Sequence, residues 1–172
     1  KERYEGVDQT PAAVAVFRNA GTATEPQFEL VDLDWIALAD FQIESPYPAF
    51  GDLDGDGDLD VLVGDELGRI HEFTNVAPAG AWPEFTLTAL SIPEDGSGEA
   101  IDVGQFATPQ LHDMDGDGDL DMVVGEKNGT LTLFERTSVG SWSKYVSPIH
   151  GENWGNILVD NLLGINGYSV PA

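Results

Sequence analysis

Two short acidic segments, residues 52–60 and 113–121, carry the side chains best suited to chemistry in this chain. Each has an aspartate at positions 1, 3, 5, 7 and 9 and a glycine at positions 4 and 6. Calcium takes roughly six to eight oxygen ligands at about 2.3–2.6 Å, and glycine lets a chain turn sharply between successive ligands. The two copies of this pattern predict two calcium-binding loops.

The candidate metal residues are all the aspartates of the two loops. They are Asp52, Asp54, Asp56, Asp58 and Asp60 in loop 1 (residues 52–60), and Asp113, Asp115, Asp117, Asp119 and Asp121 in loop 2 (residues 113–121). Positions 1, 3, 5 and 9 are expected to bind through their side chains. By analogy with other calcium loops, position 7 is expected to bind through its backbone carbonyl, with the carboxylates of Asp58 and Asp119 pointing outward or binding through water. Leu59 and Leu120 are expected to begin the next strands and pack inward.

Two other interpretations of these loops fit the sequence less well. An EF-hand needs an acidic residue at position 12 and flanking helices, whereas position 12 is Val63 or Val124, within predicted strands. Magnesium is disfavoured because its small octahedral shell accepts fewer protein oxygens. A single Asp-Gly pair would suit a solvated turn, but the same nine-residue pattern occurs twice.

The loops belong to a longer repeat with a period of 61 residues. Matching pairs at this spacing are Gly64 and Gly125, Gly68 and Gly129, and Phe73 and Phe134, while Trp82 is matched to Trp142 and Phe85 to Tyr145 at 60. Partial copies flank the two full ones: Val16–Asn19 resembles residues 72–75, and residues 168–172 resemble residues 45–49. Internal repetition of this kind indicates an array of similar structural units.

Short strands separated by turns fill each repeat. Apolar or alternating patterns predict strands at 59–63, 69–73, 84–90, 120–124 and 130–134, with tight hairpin connections at 64–68 and 125–129. Four strands in about 60 residues are typical of a β-propeller blade, with a solenoid as the alternative. The predicted fold class is therefore all-β, a propeller segment of four-stranded antiparallel blades.

Residues 1–172 are predicted to form a single incomplete propeller segment of about two full blades. A partial repeat covers residues 1–33, full repeats cover 47–91 and 108–149, and a further repeat starts at 168–172. Long segments connect the repeats, and parts of them, such as residues 93–98, are expected to be irregular surface loops.

The charge balance excludes several classes of partner. The chain has 31 acidic and 7 basic side chains and a formal net charge of -24, which argues against nucleic acid and anionic lipid. It has no cysteine, so disulfides and thiolate metal sites are excluded. No signal peptide or membrane span is visible in the sequence.

The repeats resemble the FG-GAP or VCBS repeat family, the calcium-loop blades of integrin α-like propellers and of many bacterial secreted proteins. Phe50-Gly51 resembles the opening pair of that family, residues 52–60 its calcium loop, and Val63-Gly64 the glycine that closes the following strand. The second repeat has Leu111-His112 at the opening pair, and neither repeat has Ala-Pro after the closing glycine. The resemblance is to the bacterial type and implies a propeller, often of seven blades, in an exported or cell-surface protein.

These observations predict a non-catalytic, calcium-binding structural or adhesion module of a secreted or cell-surface protein. Its expected partners are adjacent blades of a longer chain and an extracellular protein or carbohydrate ligand. The alternatives are the propeller domain of a polysaccharide-degrading enzyme and a carbohydrate-binding module that uses a loop tryptophan such as Trp154. The histidines, His71, His112 and His150, share no spacing and are interpreted as surface or packing residues.

Overall fold

Ten short β-strands and two 3₁₀ turns make up the regular structure of this computed structural model, which describes residues 12–146, 148, 154–156 and 171. The all-β fold class is confirmed, and across the described ranges no helix is long and apolar enough to cross a membrane. The predicted repeat start at 168–172 lies outside the described residues except for Pro171. The strands are β1 (Val16–Asn19), β2 (Phe28–Asp32), β3 (Tyr47–Gly51), β4 (Asp60–Gly64), β5 (Ile70–Asn75), β6 (Phe85–Ala89), β7 (Thr108–His112), β8 (Asp121–Gly125), β9 (Leu131–Ser138) and β10 (Ser141–Lys144), and the 3₁₀ turns are Leu38–Phe41 and Trp154–Asn156.

The chain divides into two units, Lys1–Glu44 and Ser45–Ala172. In the first unit β1 and β2 form an antiparallel hairpin in which Asn19 is opposite Phe28. The Asn19 side-chain oxygen accepts hydrogen bonds from two backbone N–H groups of the hairpin loop, at 2.9 and 3.0 Å. This side chain holds the loop closed between the two strands.

The second unit contains two four-stranded antiparallel sheets. The first sheet has the order β3-β4-β5-β6, and the second has the order β7-β8-β9-β10. In the first sheet Asn75 is opposite Phe85, and its side-chain oxygen accepts two loop N–H groups, as Asn19 does in the hairpin of the first unit. An asparagine side chain therefore closes two hairpins of the chain in the same way.

Strand β4 begins one residue later than predicted, and this changes which leucine is buried. Asp60 opens the strand and is buried at 1% exposure. All five residues of β4 are buried, but Leu59 lies in the loop before the strand and is 56% exposed. The expectation that Leu59 begins the strand and packs inward is wrong, because the strand begins at Asp60. Leu53, inside loop 1, is buried instead at 2% exposure.

The strand register corrects the alignment of the tryptophans. Trp142 is opposite Arg136 in the second sheet, the place that Phe85 holds opposite Asn75 in the first. The hairpin between β9 and β10 is shorter, so Trp142 corresponds to Phe85 and not to Trp82. Trp142 is 1% exposed whereas Trp82 is 50% exposed, and the match of these two tryptophans at a spacing of 60 residues is wrong.

The main core lies between the two sheets and includes part of the segment that connects them. That segment, residues 92–107, has an exposed tip at 95–98, but Ile92 and Ile101 are each 1% exposed. Its backbone is also hydrogen-bonded to the first sheet, for example from Ile92 N to Ile70 O at 2.8 Å. The core consists of Leu53, Leu62, Ile70, Ile92, Ile101, Ala107, Met122, Val124, Phe134 and Trp142.

Glycine permits a very close backbone approach where the connecting segment crosses the hairpin between β4 and β5. A Cβ added at Gly64 would overlap the carbonyl oxygen of Ala107, and one added at Gly68 would overlap that of Gly104. Gly68 also has φ +85 and accepts a hydrogen bond from Val103 N at 3.0 Å. These contacts fix the spacing of the two sheets at the level of the backbone.

Candidate metal centre

Each Asp-rich loop brings three carboxylates together at one end of its sheet. In loop 1, which connects β3 and β4, oxygen atoms of Asp52, Asp54 and Asp56 all lie within 4.8 Å of one another. In loop 2, which connects β7 and β8, the same holds for the first three aspartates, Asp113, Asp115 and Asp117. Two oxygens on opposite sides of one calcium ion are about 5 Å apart, since each bond is about 2.3–2.6 Å. The spacing of these oxygens therefore suits a single ion in each loop.

The two loops have the same backbone conformation. Gly55 and Gly57 have φ of +82 and +93, and Gly116 and Gly118 have φ of +82 and +101. Positive φ strongly favours glycine, so these four residues let each loop coil with its carboxylates on the inside. The fit to a cation is in the donor set, which is entirely of the hard oxygen type that calcium prefers.

Backbone N–H groups hold the first carboxylate of each loop in place. The two oxygens of Asp52 accept hydrogen bonds from Gly55 N and Gly57 N at 2.7 and 3.0 Å. Asp113 accepts the equivalent bonds, from the backbone of the two loop-2 glycines, at 2.7 and 3.2 Å. A carboxylate oxygen has two lone pairs, so an oxygen that accepts one N–H still has a pair for a metal ion.

The ninth aspartates are placed differently from the first three. Asp60 and Asp121 are each 1% exposed. Asp60 accepts hydrogen bonds from Leu53 N at 2.8 Å and from Asn75 N at 2.9 Å, and Asp121 accepts the equivalent bonds at 2.9 and 3.0 Å. Burial raises the pKa of Asp60, and the two backbone hydrogen bonds oppose that rise. Sequence reasoning missed that these carboxylates join each loop to two strands.

The seventh aspartates differ between the loops. Asp119 is exposed, whereas Asp58 is partly buried. Burial raises the pKa of Asp58, as does its proximity to Asp56 and Asp60, while a hydrogen bond with the Asn75 side chain lowers it. A cation bound in loop 1 would compensate part of this repulsion.

Comparison with known proteins adds no assignment to this geometry: no protein-family model, curated protein or solved structure matches the chain.

An arginine lies between the two loops at a position that the repeat would not predict. Arg136 corresponds to Asn75 at the 61-residue spacing and lines a cleft of about 320 Å³ together with Asp52, Asp54 and Asp119. Its guanidinium lies 5.7 Å from the centre of the Trp142 ring. The positive charge of Arg136 thus partly offsets the acidic surroundings of both loops.

The described histidines and the loop tryptophan occupy separate places. His71 is 1% exposed, His112 is exposed, and His150 lies outside the described residues. Trp154 and His112 line a cavity of about 480 Å³ on the outer face of the second sheet, with Met114, Val123 and Leu131 among the other lining residues. Among the described residues, the carboxylate clusters of the loops contain none of His71, His112 and Trp154.

Acid is expected to destabilise the chain partly through His71. Its Nδ1 accepts a hydrogen bond from Ser91 N at 3.2 Å, so the proton is on Nε2, which donates to Asp65 at 3.2 Å. Burial lowers the pKa of His71, against the effect of Asp65. The unfolded chain therefore binds this proton more readily, and stability is lost as the pH falls below about 6.5, the ordinary pKa of histidine.

The measurement is urea unfolding with chelator present, at about pH 7.5 and about pH 5.5. The unmodified chain should lose more stability between these two pH values than His71→Gln, which retains a side-chain donor toward Asp65. Equal losses in both chains would mean that His71 does not contribute to acid sensitivity.

Proposed function

We propose that this chain is a calcium-stabilised segment of a β-propeller of the FG-GAP or VCBS type, acting as a non-catalytic structural or adhesion module of a secreted or cell-surface protein. The observation that carries the proposal is the clustering of three carboxylates within 4.8 Å in each of two loops with the same hydrogen bonds. Asp52, Asp54 and Asp56 would hold one ion, and Asp113, Asp115 and Asp117 the other. The ion would offset most of the negative charge of each cluster and fix the loop between its two strands.

The arrangement of the sheets supports the propeller part of the proposal. Two four-stranded antiparallel sheets follow each other along the chain and pack face to face around one core. Successive blades of a propeller bury their faces in this way. The net charge of -24 also suits a module that calcium stabilises, because bound cations offset part of the repulsion between carboxylates. Extracellular calcium sites have dissociation constants of about 10⁻⁴ to 10⁻³ M.

Calorimetric titration of the chelator-stripped chain with calcium tests the proposal. We expect two binding sites and a higher melting temperature with calcium. At ten times the dissociation constant each site adds about 1.4 kcal/mol of stability, so two sites should raise Tm by roughly 6–11 °C in a chain of this size. Magnesium at the same concentration should give a smaller increase because it is reluctant to exchange its water ligands for protein oxygens.

The matched control replaces one clustered carboxylate in each loop, Asp54→Asn together with Asp115→Asn. Both side chains are exposed, so the fold should survive while calcium binding weakens strongly. A chain that binds no calcium, or whose Tm is the same with calcium and with chelator, would contradict the proposed function.

A further inference from the structure

The residue after the first aspartate of each loop has the same backbone bond but a different environment. Leu53 N donates to Asp60 at 2.8 Å, and Met114 N donates to Asp121 at 2.9 Å. Leu53 is 2% exposed and belongs to the core between the two sheets. Met114, at the equivalent position, is 36% exposed.

The residues before the first aspartates show the same asymmetry. Gly51 is buried, and a Cβ added to it would meet the side chains of Leu111 and Leu120 of the second repeat. His112, at the equivalent position before loop 2, is exposed. Packing against the second repeat thus covers both residues that flank Asp52, whereas those that flank Asp113 are exposed.

We infer that Leu53 is a positioning residue that couples calcium binding in loop 1 to the packing of the two sheets, so that loop 1 binds calcium more tightly than loop 2. This inference rests on the proposed function. Leu53 lies between Asp52 and Asp54 in sequence, and its side chain is buried in the core while its N–H is held by Asp60. The backbone that carries two of the clustered carboxylates is therefore already ordered before an ion arrives.

The equivalent backbone of loop 2 has the same hydrogen bond, from Met114 N to Asp121, but no buried side chain holds it in place. Met114 lines an open cavity with Val123 and Leu131, which correspond to the buried Leu62 and Ile70 of the first sheet at the 61-residue spacing. Ordering of backbone and side chain opposes binding, and a site that is ordered in advance avoids that cost. Linkage is reciprocal, so calcium in loop 1 in turn stabilises the contact between the sheets.

The test measures each loop alone by calorimetry at low temperature. Asp115→Asn with Asp117→Asn disables loop 2 and reports loop 1, and Asp54→Asn with Asp56→Asn disables loop 1 and reports loop 2. We expect loop 1 to bind calcium about tenfold more tightly than loop 2, within the range of typical coupling effects. These substitutions change no core residue. Equal affinities, or tighter binding by loop 2, would overturn the inference.

Substitution of the two equivalent residues gives the second measurement. In the loop-1 reporter Leu53→Ala should weaken calcium binding about tenfold, and Leu53→Met, which installs the residue of the second repeat, should restore most of the affinity. In the loop-2 reporter Met114→Ala should change affinity less than about twofold, because its side chain is already exposed. Circular dichroism at the temperature of the titration verifies that each variant is folded.

The outcomes separate the inference from the function on which it rests. A Leu53→Ala chain with a lower Tm but unchanged loop-1 affinity would give Leu53 a purely structural role and overturn the coupling. If Leu53→Ala and Met114→Ala weakened calcium binding equally in their reporters, the burial of Leu53 would not explain the effect and the inference would be overturned. An unmodified chain that binds no calcium would instead overturn the proposed function itself.

Discussion

Replacement of Gly68 by alanine is expected to destabilise the chain by about 2–4 kcal/mol, from backbone strain and overpacking together. Gly68 has φ +85, and an added Cβ would overlap the carbonyl oxygen of Gly104. Relief of that overlap would move the connecting segment and stretch the hydrogen bond from Val103 N to Gly68 O. The obstacle is a backbone atom, which a change of side-chain rotamer cannot move aside.

Gly80 is the matched control for Gly68. Its φ is +79, and an added Cβ would have nothing within 4 Å. Gly80→Ala therefore isolates the cost of a positive φ, about 1 kcal/mol. Guanidinium unfolding of both variants at a fixed calcium concentration measures the difference. Equal losses of stability would contradict the close approach of the two backbones.

Asp60→Asn is expected to destabilise the chain by about 2–4 kcal/mol even when chelator is present. Each carboxylate oxygen of Asp60 accepts one backbone N–H, from Leu53 or from Asn75. The substitution replaces one of these oxygens with an NH₂ group. A buried donor would then face another donor, and the backbone N–H would lose its acceptor. This loss is structural and separate from any loss of metal binding.

Asp54→Asn provides the comparison for Asp60→Asn. Asp54 is exposed, and its one loop hydrogen bond, from Asp56 N at 3.1 Å, can be accepted by an amide oxygen. In chelator its stability should stay within about 0.5 kcal/mol of the unmodified chain, whereas its calcium-dependent gain in Tm should shrink. If both variants lost the same stability in chelator, Asp60 would have no special role in holding the loop to its strands.

The strands could be predicted from the sequence because each one depends on a local pattern of residues. Alternating apolar residues and the glycines at 64, 68, 125 and 129 place β4, β5, β8 and β9 to within one or two residues at their starts, and the antiparallel hairpins between them are confirmed. The clustering of the first three aspartates in each loop also follows the spacing in sequence. That an ion binds there stays a prediction.

The contacts that the sequence did not reveal are those between distant segments. Nothing local shows that Ile92 and Ile101 enter the core from a connecting segment, or that Leu53 and not Leu59 is the buried leucine of loop 1. The pairing of Trp142 with Arg136 depends on the shorter hairpin between β9 and β10. Matching identical residue types therefore aligned Trp142 with Trp82 incorrectly. Each of these features is decided by packing between the sheets, which a one-dimensional pattern does not contain.

The backbone contact at residues 64–68 has a consequence for how such a chain can diverge by duplication. Leu62 and Ile70 are replaced by Val123 and Leu131 in the second copy, while both copies keep a glycine at each end of the five-residue turn. Side chains at corresponding positions can thus differ in shape and surroundings, since Ile70 lies in the core and Leu131 lines a cavity. However, a residue inserted in the turn at 64–68 would displace the connecting segment, because the backbones of the two are hydrogen-bonded to each other. The length of this turn is therefore more constrained than the identity of the core residues around it.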